Sequence, residues 1–219
     1  MQHLRREVDR LKRKLLALSA YVEESVQRAV KSVSERDEKL AQRVIDTDFE
    51  IDEMEVDVEE DCLKILALHQ PVAIDLRFII AVLKINNDLE RIGDLAVNIA
   101  ERAVSLSKRD KINSPFDFQT MAERVQKMLQ KALDALVNGD AKLAREVLVS
   151  DDEIDEMNRQ MYDSIKMGIR QDPDNVDTLI QVLAISRNLE RIADHTSNIA
   201  EDVIYMVDGD IIRHGHRQY

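Results

Sequence analysis

The 219-residue chain has no tryptophan, one cysteine, three prolines and five glycines, and 4% of it is aromatic. A single cysteine excludes a disulfide framework and points to a reducing, cytoplasmic setting. Cys62 sits among apolar helical neighbours and reads as core packing. So little proline and glycine excludes a turn-rich sheet protein and leaves long helices. Long apolar runs are missing as well: "FIIAVLKI" from Phe78 falls far short of the ~18 residues a membrane span needs. The opening "MQHLRREVDRLKRK" is charged throughout and lacks the pattern of a signal peptide. Basic excess is absent too. A net charge of −12 with no basic face argues against nucleic acid as the main partner and suits cations or a basic protein surface.

Catalytic motifs are equally scarce. The sequence holds no glycine loop to cradle phosphate, no nucleophile elbow and no Cys/His zinc spacing. The Glu-x-x-His pair of di-iron carboxylate bundles is missing. The expectation is a protein that is not an enzyme. His195 lies beside Asp194 where the first half has Leu95, so it reads as a boundary histidine rather than a ligand. His69 reads as a helix-end residue, and His214 and His216 fall in a terminal tail.

What the chain does have is helical text with clear punctuation. Pro71, Pro115 and Pro173 each follow a polar break. Asn138 and Gly139 followed by Asp140 read as a C-cap and then an N-cap, and Ser34 to Asp37 take the same place earlier. Helical segments are predicted at 3–34, 37–69, 72–108, 116–138, 140–170 and 174–208, with the joint at "KRDKINSPFDF", 108–118. The chain is also written twice. Residues 37–54 and 140–157 agree at eleven of eighteen positions, and 86–103 and 186–203 at nine of eighteen. The expected fold is therefore all-α: two tandem, duplicated antiparallel three-helix bundles of six long helices. The expected division is 1–110, 111–212 and a tail at 213–219. Leu89, Ile92, Ala96, Ile99 and Ala103 recur at spacings of three and four, with Leu189, Ile192, Thr196, Ile199 and Val203 as their counterparts. This is the seam of helices packed along their length.

The repeated phrases "LERIGDLAVNIAE" and "LERIADHTSNIAE" carry more than a seam. On a helical wheel, Glu90, Asp94, Asn98 and Glu101 lie within ~80° of one another, nearly opposite the seam, on what reads as the solvated face. A solvated face is free to drift, yet Glu190, Asp194, Asn198 and Glu201 keep identity and register. Stacked like charges cost a helix a few tenths of a kcal/mol per pair, a cost that a cation relieves. Asp48, Asp52, Glu55 and Glu59 form a second stripe on the preceding helix. Its counterpart keeps Asp151 and Asp155, but Asn158 replaces Glu55 and Tyr162 replaces Glu59. Such oxygen-rich clusters suit magnesium, calcium or manganese, and also iron. The second site, with less negative charge, is expected to bind more weakly.

The stretch "DTDFEIDEMEVDVEEDCLKILALHQPVAIDLRFIIAVLKINNDLERIGDLAVNIAE", with "LERIADHTSNIAE" after it, resembles the PhoU family of phosphate-transport accessory proteins. The resemblance spans nearly the whole chain and includes the "QP…DLR" turn. It implies two similar three-helix bundles and a negative regulator of the phosphate-starvation response that also modulates phosphate uptake. It implies a cytoplasmic scaffold, a homodimer, peripheral to the inner membrane through its partners. Those partners would be a sensor histidine kinase and the ATPase subunit of the phosphate ABC transporter. It further implies metal clusters on E(D)xxxD motifs, with iron foremost and zinc, manganese, magnesium or calcium as alternatives, or no metal at all. On this chain the motifs are Glu90-x-x-x-Asp94 and Glu190-x-x-x-Asp194, facing Asp48-x-x-x-Asp52 and Asp151-x-x-x-Asp155. The alternatives are a metal-storage or phosphate-handling bundle, disfavoured by the missing inward Glu/His set, and a helical adaptor with unoccupied surface acids.

Overall fold

The computed structural model describes residues 2–109 and 118–212. Most of the expected joint, Pro115, and the tail with His214 and His216 lie outside the described residues. The first unit comprises α1 (Gln2–Glu35), α2 (Glu38–Asp46), α3 (Asp48–His69) and α4 (Ala73–Ser107). The second comprises α5 (Phe118–Asn138), α6 (Ala141–Gln171), a 3-10 turn (Pro173–Asn175) and α7 (Val176–Asp208). The described residues contain no strand. The all-α, duplicated three-helix plan is the architecture observed, with α2 and α3 together forming one arm of the first unit.

That arm departs from the single helix predicted at 37–69. Thr47 leaves helical geometry (φ −102°, ψ 1°) and its hydroxyl donates back to the Arg43 carbonyl at 2.8 Å. A hydroxyl bonded to the previous turn competes with the helical ladder. Ser150, its counterpart in the repeat, makes the same kind of bond to Glu146 at 3.1 Å, yet α6 runs through.

The two helix-to-helix corners show how duplication preserves a joint while changing its residue. At the end of α5, the amide of Asp140 donates to the Ala135 carbonyl (2.9 Å) and that of Gly139 to Leu136 (3.4 Å), with Gly139 at φ 62°. This is a Schellman closure, and glycine takes its left-handed position without steric cost. At the end of α1 the same bonds run from Asp37 to Ser32 (3.0 Å) and from Arg36 to Val33 (3.3 Å), with Arg36 at φ 56°. A non-glycine residue is strained there, but the Arg36 guanidinium donates to the carbonyls of Leu106 and Arg109 at the end of α4. Asp37 and Asp140 then cap α2 and α6, accepting from Leu40 (3.0 Å) and from Lys142 and Leu143 (3.0 Å each).

The core sits around α4 and α7. Leu89, Ile92, Ala96, Ile99, Leu189, Ile192 and Ile199 are all fully buried. Cys62 is also fully buried, and burial, with Asp61 and Glu59 nearby, pushes its thiol up to about 12. One continuous apolar cluster runs through both units, with a small satellite of Met161, Ile165 and Leu179 at the far end of α6 and α7. The central helices cross antiparallel, and polar pairs stitch their edges. Lys84 meets the buried Asp202 at 2.8 Å, Arg102 meets Gln181 at 3.4 Å, and Arg109 meets Asp177 at 3.3 Å.

Candidate metal centre

Because α4 is packed by helices on several sides, a direction opposite one apolar seam does not lead to water. Gly93 and Leu95 are buried as well as Leu89 and Ile92. At Gly93 α3 packs close: a Cβ there would stand 3.2 Å from Ile51 and 3.6 Å from Asp48. Glu90 and Asp94 therefore lie against α3, with Asp94 still 43% exposed, while Glu101 remains on the solvated face. The Glu90 side chain is 22% exposed, which corrects the expected solvated face.

The facing residues form rungs between antiparallel helices. On the first rung, Asp48 of α3 lies near Asp94 of α4, and burial, with Asp52 and Asp94 adding repulsion, raises Asp48 from 3.8 to about 6. On the second, Asp52 faces Glu90, which burial raises, with Asp94, Asp52 and Glu55 as its acidic neighbours. One Glu90 oxygen, Oε2, is buried without a hydrogen-bond partner. On the third, Glu55 meets Asn86, whose Nδ2 donates to both the Glu55 carbonyl and its Oε1 at 3.0 Å.

The second unit repeats the ladder with α6 and α7. Asp151 is raised to about 6 by burial and by Asp194. Burial likewise raises Glu190, with Asp155 and Asp151 nearby, and Asp194, with Glu190 and Asp155 nearby. Asp155, Glu190 and Asp194 each place a carboxylate oxygen within 4.8 Å of the others. No other three acids, histidines or cysteines converge so closely among the described residues. In the first unit Arg91 spans the motif instead, reaching Glu90 at 3.3 Å and Asp94 at 3.2 Å. The third rung of the second unit has no charge: Ser186 donates to the Asn158 side chain at 2.8 Å.

Carboxylates driven upward by burial and by one another are what a bound cation relieves. An all-oxygen set suits hard divalent ions such as magnesium, manganese or calcium, or iron. Glu90 Oε2 is buried and makes no hydrogen bond, and its charge is met by Arg91 Nε at 3.3 Å, the place a metal cation would take. The residues therefore fit the metal that the resemblance implies.

Not every expected site residue joins the ladder. Asn198 turns to the junction of the units, where its Nδ2 donates to Asp88 at 3.2 Å. Asn98 lies one turn beyond Asp94 and is half-buried. His195 is also drawn into the junction, with Nδ1 2.7 Å from the same Asp88 oxygen. The second unit has Asn188 and the first has Leu95 at the corresponding places, so this triplet has no counterpart. Residue types gave no hint of it, because the pairing depends on the register of α4 against α7.

A duplicated all-helical bundle with an acidic ladder in each half is thus the class that the fold and site define. A family model for the PhoU domain matches the chain twice, at residues 5–103 and 118–203. The chain is 38% identical over 214 residues to the phosphate-specific transport system accessory protein PhoU homolog of Pseudomonas aeruginosa, covering 97% of this chain and 88% of that one. It is 35% identical over 211 residues to the homolog from Aquifex aeolicus, covering 96% of each. The crystal structure of PhoU from Pseudomonas aeruginosa superposes with a TM-score of 0.90 at 38% identity, covering 94% of this chain and 99% of that one. A phosphate transport system regulatory protein PhoU from Streptococcus pneumoniae gives 0.88 at 27% identity, covering 96% and 100%. The chain belongs to the PhoU family.

Proposed function

We propose that this protein is an accessory component of phosphate transport that restrains both uptake and the phosphate-starvation response when phosphate is plentiful. The observation that carries this reading is the near full-length likeness to phosphate-specific transport system accessory proteins, across both units. It acts at the inner face of the membrane as a scaffold between the ATPase subunit of the phosphate ABC transporter and a sensor histidine kinase, and it works as a homodimer. No helix among the described residues is long and apolar enough to cross a membrane, so attachment goes through those partners.

Two surface features support a scaffold. The turn between α3 and α4 leaves Leu68, Val72 and Ile74 between 71 and 77% exposed, an apolar patch of the kind that marks protein contacts. The corresponding turn of the second unit is acidic instead, with Asp172, Asp174 and Asp177, so the two ends of the molecule suit different partners. The acidic ladders hold divalent cations, which neutralise the faces and fix them for contact. Asp48, Asp52, Glu55, Glu90 and Asp94 supply one set of oxygens, and Asp151, Asp155, Glu190 and Asp194 the other.

A deletion strain carrying a phosphate-responsive reporter tests the regulatory role. Expression should rise at high phosphate, and unchanged repression would overturn the reading. Pull-down of the kinase and the ATPase subunit by the full-length chain tests the scaffold. Capture should fall for Leu68→Glu or Ile74→Glu, and undiminished capture would place the contact elsewhere.

A further inference from the structure

The outer face of α3 exposes apolar residues in register. Phe49, Val56 and Leu63 follow one another at intervals of seven and are 56, 51 and 54% exposed. At 100° per residue they line up about 150° around the helix from the buried Ile51, Val58, Cys62 and Ile65, over a length of about 21 Å. Glu53 and Glu60 edge this line on one side, Asp52 and Glu59 on the other. Single exposed apolar residues are ordinary on a surface, but three in heptad register make one strip. Beside it lies a groove of about 630 Å³ between α1 and α3, with Tyr21, Met54 and Val56 as its apolar lining and Glu50, Glu53 and Asp57 among its acids.

The second unit meets the same acids with cations of its own. Tyr21 and Val56 correspond to Arg124 and Arg159, and Glu50 and Glu53 to Glu153 and Glu156. Arg124 pairs with Glu153, and Arg159 with Glu156 at 3.4 Å. Phe49 and Leu63 likewise correspond to Asp152 and Lys166, both exposed. In the first unit an aromatic ring and a valine stand in place of two arginines, so apolar surface appears where both cations are missing. Neither Glu50 nor Glu53 has an ion pair among the described residues.

We infer that this strip and groove dock a basic amphipathic helix of a partner protein. Its apolar residues lie along Phe49, Val56 and Leu63, and its Arg or Lys side chains reach Glu50 and Glu53, as Arg124 and Arg159 do within the second unit. Charge complementarity selects this occupant. A second copy set face to face would place acid against acid, and the arginine-rich start of α1 has no apolar residue among its exposed positions from 3 to 14. An anionic membrane surface repels the same acids.

The test is fluorescence anisotropy of a fluorescein-labelled synthetic helix, with leucines at heptad spacing and arginines beside them, titrated with full-length protein. Binding to the wild type should saturate. Y21R/V56R, which copies the second unit's arginines, should weaken it roughly tenfold or more, and Leu63→Ala, which alters no charge, several-fold. Val149→Ala, at an exposed apolar position of α6, should leave it unchanged. Circular dichroism of each variant establishes that the helices remain. Equal binding of a scrambled peptide of the same composition would reduce the contact to bulk charge and overturn the proposal. Wild-type affinity in Y21R/V56R, or no saturable binding by the wild type, would overturn it as well. A wild-type dimer that becomes a monomer in Y21R/V56R by light scattering would assign the face to a second copy instead.

Discussion

The two units of this protein spend the same carboxylates differently. In the second, Asp155, Glu190 and Asp194 converge within 4.8 Å, and an uncharged Ser186–Asn158 bond closes the ladder below them. In the first, Arg91 draws Glu90 and Asp94 onto its guanidinium, and the ladder extends another rung through Glu55 and Asn86. Negative charge and convergence are therefore separate properties. The first unit has more oxygen donors, while the second has fewer that already meet. A count of carboxylates ranks the first unit higher, and geometry ranks the second higher for a single ion.

Substitutions at matched positions sharpen or break this comparison. The largest effects belong to what the units share. Leu89→Ala and Leu189→Ala each empty a fully buried seam position and should cost about 2–5 kcal/mol. Denaturant melts that put one of them below 1 kcal/mol would show the halves to be packed unequally. Next comes the metal. Asp194→Asn removes a member of the convergent triad and should weaken the tightest Mn²⁺ binding by at least the roughly 10–100-fold that attends loss of a supporting ligand contact. Asp94→Asn should weaken that step less, and the reverse order in calorimetric titration would favour charge over convergence.

Acid should stabilise the metal-free protein. Asp48 and Asp151 sit near 6 when folded against 3.8 otherwise, and Glu55, Glu90, Glu190 and Asp194 are raised as well. The folded state then binds more protons than the unfolded state between about pH 4 and 6. Its stability falls as pH rises through that window and levels off above it. Thermal melts without metal should give a higher Tm at pH 5.5 than at 7.5. The gap should narrow equally in Asp48→Asn and Asp151→Asn, and unequal narrowing would show one ladder to be more open to water. Smallest are the caps: Asp37→Ala and Asp140→Ala should each cost about 1 kcal/mol. Asp140, which accepts from two amides, should cost the more of the two.

Much of this was legible in the chain itself, for physical reasons. The seam at Leu89 and Leu189 follows from helical periodicity, the caps at Asp37 and Asp140 from side-chain length, and the acids from their survival through duplication. The break at Thr47 was not legible, because Ser150 makes a similar bond without breaking its helix. The sidedness of Glu90 differs from the helical-wheel expectation because a wheel carries no information on how many neighbours a helix has. Asp88, His195 and Asn198 meet only through the crossing of α4 and α7, which no local pattern encodes. Asn86 left one trace: Glu55 and Asn86 differ from Asn158 and Ser186 as a pair, and paired change is what a contact produces.

The apolar cluster that runs unbroken from α1 through α4 into α7 has a consequence for how the molecule comes apart. Two beads on a string would melt in two steps, each with its own enthalpy. Here α4 and α7 are each other's core wall, so losing either strips the other of its packing. Calorimetry should therefore record a single endotherm whose van't Hoff and calorimetric enthalpies agree. Either unit expressed alone should present a bare apolar flank and self-associate.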